Sequence, residues 1–365
     1  MTTHTFKPSL PPPPMSVGPA AWIRANLFSN WFNSLLTFLA IYLIWILIPP
    51  VIKWAFIDAD WNGTSRDACT SGGACWVFIK VRFSQFMYGF YPEHLRWRVD
   101  LTVLLAIAGS IPLFLKAMPK KLPYGLAFGL IYPIVAWVLL FGGMFGLAEV
   151  QTSQWGGLML TLVIATVGIG GAMPLGILLA LGRRSHMPAV RVICVTFIEF
   201  WRGVPLITVL FMSSVMLPLF LPEQMSFDKL LRALIAVMLF EAAYIAEVVR
   251  GGLQAIPKGQ YEAAGAMGLG YWRMMGLVIL PQALKLVIPG IVNTFIALFK
   301  DTSLVIIIGL FDLFNSIHQA TVDPAWLGYA TEGYVFAALV FWIFCFGMSR
   351  YSMHIERKLD RGHKR

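Results

Sequence analysis

The chain has 365 residues, of which 58% are apolar and 13% are charged. Soluble domains average about 45–50% apolar and about 25% charged residues, so this composition excludes a soluble globular protein, a disordered chain and a disulfide scaffold. The net charge of +10 does not indicate nucleic-acid binding, because membrane proteins concentrate Lys and Arg in cytoplasmic loops. We predict an all-α polytopic membrane protein whose crossings contain about 20 residues each.

Residues 1–30 are polar and rich in proline, and they lack the basic start and short apolar core of a signal peptide. We expect them to form a mobile cytoplasmic tail. After this tail, about eight apolar runs are long enough to serve as transmembrane helices. They cover residues 31–51, 97–115, 122–146, 156–182, 192–221, 231–249, 286–311 and 333–349.

Basic residues set the expected orientation of these runs. They are concentrated in the loops after the second, fourth, sixth and eighth runs. If all eight runs cross, these loops share one side, so that side is the cytoplasm and both termini lie there. Residues 54–96 then form a long periplasmic loop, in which residues 76–91 have the composition of an interfacial or helical segment. Cys69 and Cys75 would face an oxidising space in this loop, either as a local disulfide or as two free thiols.

The loop between the sixth and seventh runs, residues 250–285, is neither apolar enough to cross a membrane nor polar enough to be disordered. Pro257 should end the preceding helix, and Glu262 suits the start of a short helix. Gly268 and Gly270 allow a sharp exit from that helix, and Pro281 suits the first turn of the next one. The pattern predicts two short helices with a tight elbow, lying parallel to the membrane.

This loop resembles the EAA loop of bacterial ABC importer permeases, with Val278 where the family more often has Ile. The matching residues are Glu262, Ala263, Ala264, Gly268, Val278, Leu280 and Pro281. The resemblance implies that the loop is a coupling helix that docks in a groove of a cytoplasmic ATPase. An ordinary amphipathic connector is the alternative.

Three further stretches, residues 197–206, 242–252 and 300–304, resemble the polar amino-acid branch of these permeases. The overall length and layout are similar to the M-type permeases of general L-amino-acid importers (AapM and BztC-like proteins). The resemblance implies a type I (MetI-like) permease core of five helices at residues 156–352. Three extra transmembrane helices would precede the core at residues 31–155, and a cytoplasmic tail would follow at residues 353–365.

No Gly-x-x-x-x-Gly-Lys-[Ser/Thr] phosphate cradle occurs in the chain, so ATP would have to be hydrolysed elsewhere. The resemblance implies a transport subunit of the bacterial inner membrane that is not itself an enzyme. Its implied partners are a second, related permease, two ATPase subunits that hold ATP and Mg, and a periplasmic amino-acid-binding protein. L-amino acids would be the cargo, lipids would surround the chain, and no nucleic acid is expected.

Lys300 and Asp301 lie in the middle of the seventh run, where each charge costs about 2.5–3.5 kcal/mol on insertion scales. They must therefore face the bundle interior, a partner subunit or water. With Thr302, Ser303 and Asn293, they offer both signs of charge and polar groups for a zwitterionic amino acid. We predict that this turn is part of the substrate pathway; an internal ion pair is the alternative.

Glu241, in the middle of the sixth run, carries a similar cost and either lines the same pathway or meets a basic partner. Glu199 and Arg202 are three residues apart, within helical contact range. They form either a structural ion pair or a gate.

Two other functions remain open at this point. An ion-coupled secondary amino-acid transporter would explain the charges inside the membrane but not the ordered loop at residues 250–285. A membrane enzyme would need a nucleophile–base pair or a set of metal ligands, and the sequence has no such cluster.

Overall fold

The structure is a computed structural model that describes residues 18–115, 118, 120–220, 222 and 227–360. The chain divides into two units, Met1–Val77 and Phe78–Arg365. Helices form nearly all of the regular structure, as the all-α prediction requires. They are α1 Pro19–Asn26, α2 Trp31–Ile52, α3 Trp76–Tyr88, α4 Arg96–Phe114, α5 Lys121–Phe141, α6 Gly157–Arg183, α7 Pro188–Gly203, α8 Leu206–Phe211, α9 Lys229–Ala255, α10 Lys258–Ala266, α11 Tyr271–Met274, α12 Leu280–Asp301, α13 Leu313–Thr321 and α14 Ala330–Asp360.

Six helical segments in the described part of the chain are long and apolar enough to cross a membrane, and a bent pair of helices would make a seventh. They are Trp31–Ile57, Glu93–Phe114, Lys121–Phe141, Gly157–Arg183, Tyr271–Ile308 and Ala330–Leu359. The chain is therefore polytopic, as predicted. The count of eight crossings is not confirmed.

The fifth apolar run is not one straight helix but a bent pair of helices, so its crossing as a single span stays a prediction. Helix α7 ends at Gly203, and Leu206–Phe220 continues at 103° to it. The break has a local cause. Val204 precedes a proline, which disfavours helical backbone for Val204, and Pro205 has no N–H to donate. Both residues are extended, with ψ of 133° and 140°.

The sixth run corresponds to α9, which at 27 residues is long enough to cross. It differs from the six apolar segments because Arg232, Glu241, Glu247 and Arg250 interrupt its apolar sequence. Such charges are tolerated in a membrane when they face protein or water. The helix is largely buried in the bundle, where Glu247 pairs with Arg250 and Arg232 donates to the Ser214 carbonyl.

Both predicted tails are partly helical, and their cytoplasmic location stays a prediction. Pro19–Asn26 forms α1 within the expected N-terminal tail, and residues 1–17 lie outside the described residues. At the other end α14 continues to Asp360. No proline or glycine interrupts residues 349–360, and Arg357 and Lys358 suit a helix C-terminus. Residues 361–365 lie outside the described part.

The loop at residues 54–96 is largely ordered. A disulfide joins Cys69 and Cys75, whose Cα atoms are 5.6 Å apart. Ser71 donates hydrogen bonds to Asp60 from its hydroxyl and its backbone N–H, which holds the pKa of Asp60 below its ordinary value. The segment that the sequence assigned to an interfacial or helical element is helix α3.

Helix α3 packs on protein through its aromatic face. Phe78 and Phe86 are fully buried, and the rings of Phe78 and Trp326 are 5.4 Å apart. On its polar side Arg82 forms an ion pair with Asp323, in the loop that follows α13. The helix thereby joins the segment before the core to the segment before α14.

Helices α6 and α9 form the centre of the second unit. They approach closely at Gly176, where a Cβ atom would lie 2.6 Å from Ile245 Cγ2 and 2.9 Å from the Ala242 carbonyl oxygen. Small residues allow such close backbone approach in membrane bundles. Helix α9 is therefore held against α6, and α12 packs against both helices.

Candidate functional site

The sharp turn predicted within residues 250–285 is present after helix α10. Gly268 has φ of +73°, Leu269 N–H donates to the Ala264 carbonyl at 3.2 Å, and Gly268 N–H donates to Gly265 at 2.9 Å. These two hydrogen bonds define a Schellman motif, in which the left-handed position favours glycine. We call residues 258–270, which include α10 and this turn, the elbow.

Two details of the predicted loop are wrong. Helix α10 begins at Lys258, after Pro257 as its N-cap, so Glu262 lies inside the helix and not at its start. The second helix is not short, because Tyr271–Ile308 is one long segment that contains a π-helical turn at Met275–Ile279. Pro281 follows that turn. A proline has no N–H and its ring crowds the preceding turn, and a π-helical turn is one way to accommodate both.

The predicted coupling residues differ in their exposure to solvent. Glu262, Ala263 and Gly268 are exposed, whereas Ala264 is buried. Leu280 is half-buried and Pro281 exposed in the following helix. Large apolar side chains accompany the exposed set, with Met267 81% and Trp272 70% exposed. The elbow and the start of the helix that follows it thus present an exposed surface with both polar and apolar side chains.

Arg184 and Tyr261 anchor the elbow to the helix bundle. Arg184 Nη1 donates to the Leu253 carbonyl at 2.8 Å and to Tyr261 Oη at 3.0 Å. The Tyr261 hydroxyl also donates to Leu253 O at 3.0 Å, and the guanidinium lies 5.4 Å from the Tyr261 ring centre. Because Arg184 follows α6 directly, displacement of α10 acts on the ends of both α6 and α9.

Next to this anchor, one carboxylate of α9 has three arginine partners. Glu247 lies 3.2 Å from Arg183 and 3.0 Å from Arg202, and it also pairs with Arg250. Arg183 reaches Glu199 at 2.9 Å as well. We call these residues the arginine cluster; it connects the ends of α6, α7 and α9.

The predicted pairing of Glu199 with Arg202 within one helix is therefore corrected. Each residue has a partner on another helix: Arg183 for Glu199 and Glu247 for Arg202. The spacing of three residues permits an intrahelical pair, but the packing of α6 and α9 against α7 supplies closer partners. The arginines at 183 and 184 were visible in the sequence only as loop charges.

The predicted substrate-pathway residues do not share one environment. Glu241 is 4% exposed, its Oε1 has no hydrogen-bond partner among the described residues, and it interacts electrostatically with Asp301. Asp301 is half-buried. Lys300 and Asn293, by contrast, are exposed on the surface of this single chain. The structure thus brings together Glu241 and Asp301 and leaves Lys300 and Asn293 on the outside.

The two hydroxyl residues of the turn bond to their own backbone. Thr302 Oγ1 donates to Phe299 O at 2.9 Å, and Ser303 Oγ donates to Lys300 O at 3.0 Å. Such bonds occur where helices end or bend. Here α12 passes into a 3₁₀ segment, Thr302–Ile308. The hydroxyls therefore stabilise the change of helix type.

Asp312 and Asn315 support this turn and were not identified from the sequence as functional. Asn315 Nδ2 donates to Ser303 O at 2.7 Å and to Asp312 Oδ1 at 2.6 Å. Asp312 is fully buried, and burial raises the pKa of its carboxyl against the opposing effect of the hydrogen bonds from Asn315. The spacing Asp312-x-x-Asn315 at the start of α13 is the N-cap signal that could have identified the pair.

Comparison with known proteins places these features in a family. The family of the binding-protein-dependent transport system inner membrane component matches residues 172–361. The chain is 65% identical to the inner membrane amino-acid ABC transporter permease protein YhdY of Escherichia coli over 97% of both chains. It is 41% identical to the glutamate/glutamine/aspartate/asparagine transport system permease protein BztC of Rhodobacter capsulatus, over 97% of this chain and 96% of BztC.

A solved structure of an amino acid ABC transporter with histidines is 28% identical, with a TM-score of 0.49, and the match covers 55% of this chain and 92% of that one. The family match includes the arginine cluster, the elbow and the Glu241–Asp301 pair, and the two relatives match over almost their full length. The chain belongs to the family of inner membrane components of binding-protein-dependent transport systems.

Proposed function

We propose that the chain is the transmembrane permease subunit of an ATP-driven, binding-protein-dependent L-amino-acid importer. The observation that carries the proposal is the elbow, an exposed helix anchored to the bundle, in a chain whose relatives are named as amino-acid permeases. In this function the elbow docks on a cytoplasmic ATPase through the exposed residues Glu262, Ala263, Gly268 and Pro281, whereas Leu280 is half-buried and Ala264 is buried.

Movement of the elbow would reach the bundle through two connections. Arg184 and Tyr261 tie α10 to the ends of α6 and α9, and the arginine cluster ties those ends to α7. When ATP brings two ATPase subunits together, the docked elbows move with them and the bundle opens outward. Release of the hydrolysis products returns it to the inward state. Transport is thus alternating access driven from outside this chain.

The cargo path would pass the Glu241–Asp301 pair. A buried carboxylate without a hydrogen-bond partner is costly, and a solute ammonium group would offset that cost during passage. Lys300 and Asn293 lie on the surface of this chain, where a second, related permease would complete the path. Thr302 and Ser303 shape the turn.

The other parts of the assembly follow from this function. ATP and Mg are held by the two ATPase subunits, and a periplasmic binding protein delivers the amino acid. The core is residues 156–352, preceded by extra helices in residues 31–155. Both termini and the elbow lie in the cytoplasm, and Cys69 and Cys75 lie in the periplasm, where their disulfide is stable.

A substitution in the elbow tests the proposal. Gly268→Val places a β-branched residue at positive φ, where the conformation costs about 1–2 kcal/mol or more, so the turn should be lost while the membrane helices still insert. We expect at least a ten-fold loss of ATP-driven uptake in proteoliposomes that contain the whole transporter. Gly251→Ala is the matched control, since a Cβ there meets nothing within 4 Å. Normal uptake by Gly268→Val would refute the coupling role.

An ion-coupled secondary transporter is the second candidate. The observation that favours it is Glu241 Oε1, which is buried and has no hydrogen-bond partner in the part of the chain that the structure describes. The two candidates differ in their energy source. Uptake that persists when ATP is depleted and the ion gradient is kept would favour the secondary transporter, and uptake that stops would favour the importer.

A further inference from the structure

A cavity of about 460 Å³ lies at the end of the bundle away from the elbow. Helix α9 starts at this cavity and ends beside the elbow, about 40 Å away at 1.5 Å per residue. Helix α5, the turn that follows it and the start of α9 form the cavity walls. The residues used below are Trp137, Phe141, Glu149, Thr152, Asp228 and Lys229. The volume is in the range of small-molecule sites.

Hydrogen bonds hold the wall of this cavity in shape. Val150 N–H donates to Phe141 O at 2.8 Å, which closes the turn after α5. Arg98, a buried residue of α4, donates to Ala148 O at 2.7 Å, and the buried Tyr91 hydroxyl donates to Leu140 O at 2.8 Å. The buried side chains of Arg98 and Tyr91 thus fix the backbone on both sides of this turn, so the wall of the cavity is held in place without a ligand.

Two of the charges in the cavity are free to bind a ligand. Asp228 is occupied as the N-cap of α9, where it accepts from Leu231 N–H at 3.0 Å and from the Thr152 hydroxyl. The side chains of Glu149 and Lys229, both exposed, make no hydrogen bond or ion pair with any residue in the described ranges. The cavity therefore offers one carboxylate and one ammonium group beside the aromatic faces of Trp137 and Phe141.

We propose that this cavity binds a small zwitterion, a molecule with a primary ammonium and an anionic group a few bonds apart. Glu149 receives the ammonium, Lys229 receives the anionic group, and the rings of Trp137 and Phe141 contact the carbon skeleton. A free amino acid and a phosphoethanolamine lipid headgroup both have this chemistry. Part of the cavity wall, from Trp137 to Ser153, precedes the family match at residue 172, so the site depends on residues that the family profile does not include.

Local protection of a cysteine tests binding at this cavity. Ser153 lies in the cavity wall and is exposed, so Ser153→Cys should react with a membrane-impermeant maleimide added outside the cell. The outward direction rests on the orientation in the proposed function, so the rate is also measured on the purified whole transporter, where sidedness plays no part. Lys80→Cys, exposed on α3 and outside the cavity, is the matched control, and the chain without either substitution gives the background from Cys194 and Cys345.

Two arms identify the source of the ligand. One adds a mixture of the standard L-amino acids; the other compares vesicles of phosphatidylcholine and phosphatidylglycerol with vesicles that also contain phosphatidylethanolamine. We expect slower labelling of Ser153→Cys, and not of Lys80→Cys, in at least one arm. Glu149→Gln or Lys229→Met should each weaken the protecting ligand about ten-fold, because each removes one charged hydrogen-bond partner.

Protection in the first arm assigns the cavity to a free amino acid, and protection in the second assigns it to a lipid headgroup. Either result supports the proposal if Glu149→Gln and Lys229→Met reduce it. Failure of Ser153→Cys to react on the purified transporter would show a closed cavity and overturn the proposal. Equal labelling with and without both ligands, or protection that survives both charge substitutions, would overturn it too. None of these outcomes depends on the elbow, so they are separate from a failure of the coupling test.

Discussion

Two carboxylates on one helix have opposite environments. Glu247, near the elbow end of α9, is 16% exposed and has three arginine partners. Glu241, less than two turns earlier, is 4% exposed and leaves Oε1 without a partner among the described residues. The same type of side chain on the same helix joins several helices through ion pairs at Glu247, and at Glu241 it has a buried oxygen without a partner among the described residues.

The difference separates two ways of using a charge in a membrane bundle. At Glu247 several ion pairs offset the cost of desolvation, so the carboxylate contributes to cohesion between helices. At Glu241 no partner among the described residues offsets the cost, and Asp301 adds a second carboxyl group nearby. Stability therefore explains Glu247, whereas Glu241 requires a ligand, a partner or a proton.

The largest stability effect is expected at Glu247. Glu247→Ala leaves three arginines without their shared partner, and we expect a loss of about 2 kcal/mol, below the value for a fully buried pair because the cluster is partly exposed. The thermal midpoint of the purified transporter measures it. Glu356→Ala, exposed on α14, is the control and should change little. Equal shifts of the thermal midpoint for the two substitutions would show that the ion pairs of Glu247 do not stabilise the bundle.

Glu241→Gln should behave in the opposite way. It keeps the shape and replaces a buried ionisable carboxyl group with a neutral amide, so stability should be unchanged or higher by about 1 kcal/mol. Uptake of the amino acid should fall about ten-fold, because the ammonium group of the transported amino acid loses a charge-assisted hydrogen bond to Glu241. Parallel measurements of the thermal midpoint and ATP-driven uptake check both expectations. A destabilised variant that still transports normally would show that Glu241 is structural.

A comparison of two arginines refines the account of the cluster. Arg183 contacts both Glu199 and Glu247, whereas Arg202 contacts Glu247. We expect Arg183→Gln to lower the free energy of unfolding by about 1 kcal/mol, and Arg202→Gln by about half as much. Double-mutant cycles with Glu247→Gln measure the separate couplings. Identical couplings for the two arginines would contradict the bridging role of Arg183.

The smallest effect is expected at Glu199, whose side chain is 54% exposed. Exposed ion pairs contribute at most about 0.5–1 kcal/mol, and salt screens them. Glu199→Gln should therefore shift the thermal midpoint slightly at low salt and not at about 1 M salt. A large shift that persists at high salt would mean that Glu199 acts through packing or a partner subunit.

The sequence predicted the elbow better than it predicted the charge pairs, for a physical reason. Gly268 works through a local Schellman motif, so its role is readable within a few residues. The partners of Glu199 and Arg202 come from α6 and α9, far along the chain. Pro205 could have predicted the bend at Val204 and Pro205, but the sequence analysis treated the long apolar run that contains them as one span.

Composition and apolar runs alone determined that the chain is a helical membrane protein, because a bilayer requires long uncharged helices. Local motifs determined the elbow and its resemblance to permeases. Tertiary structure decided which charges have partners, that α3 packs through its aromatic face, and that Glu149 and Lys229 share a cavity with Asp228. Those outcomes depend on contacts between helices distant in sequence, and no local pattern encodes which faces meet.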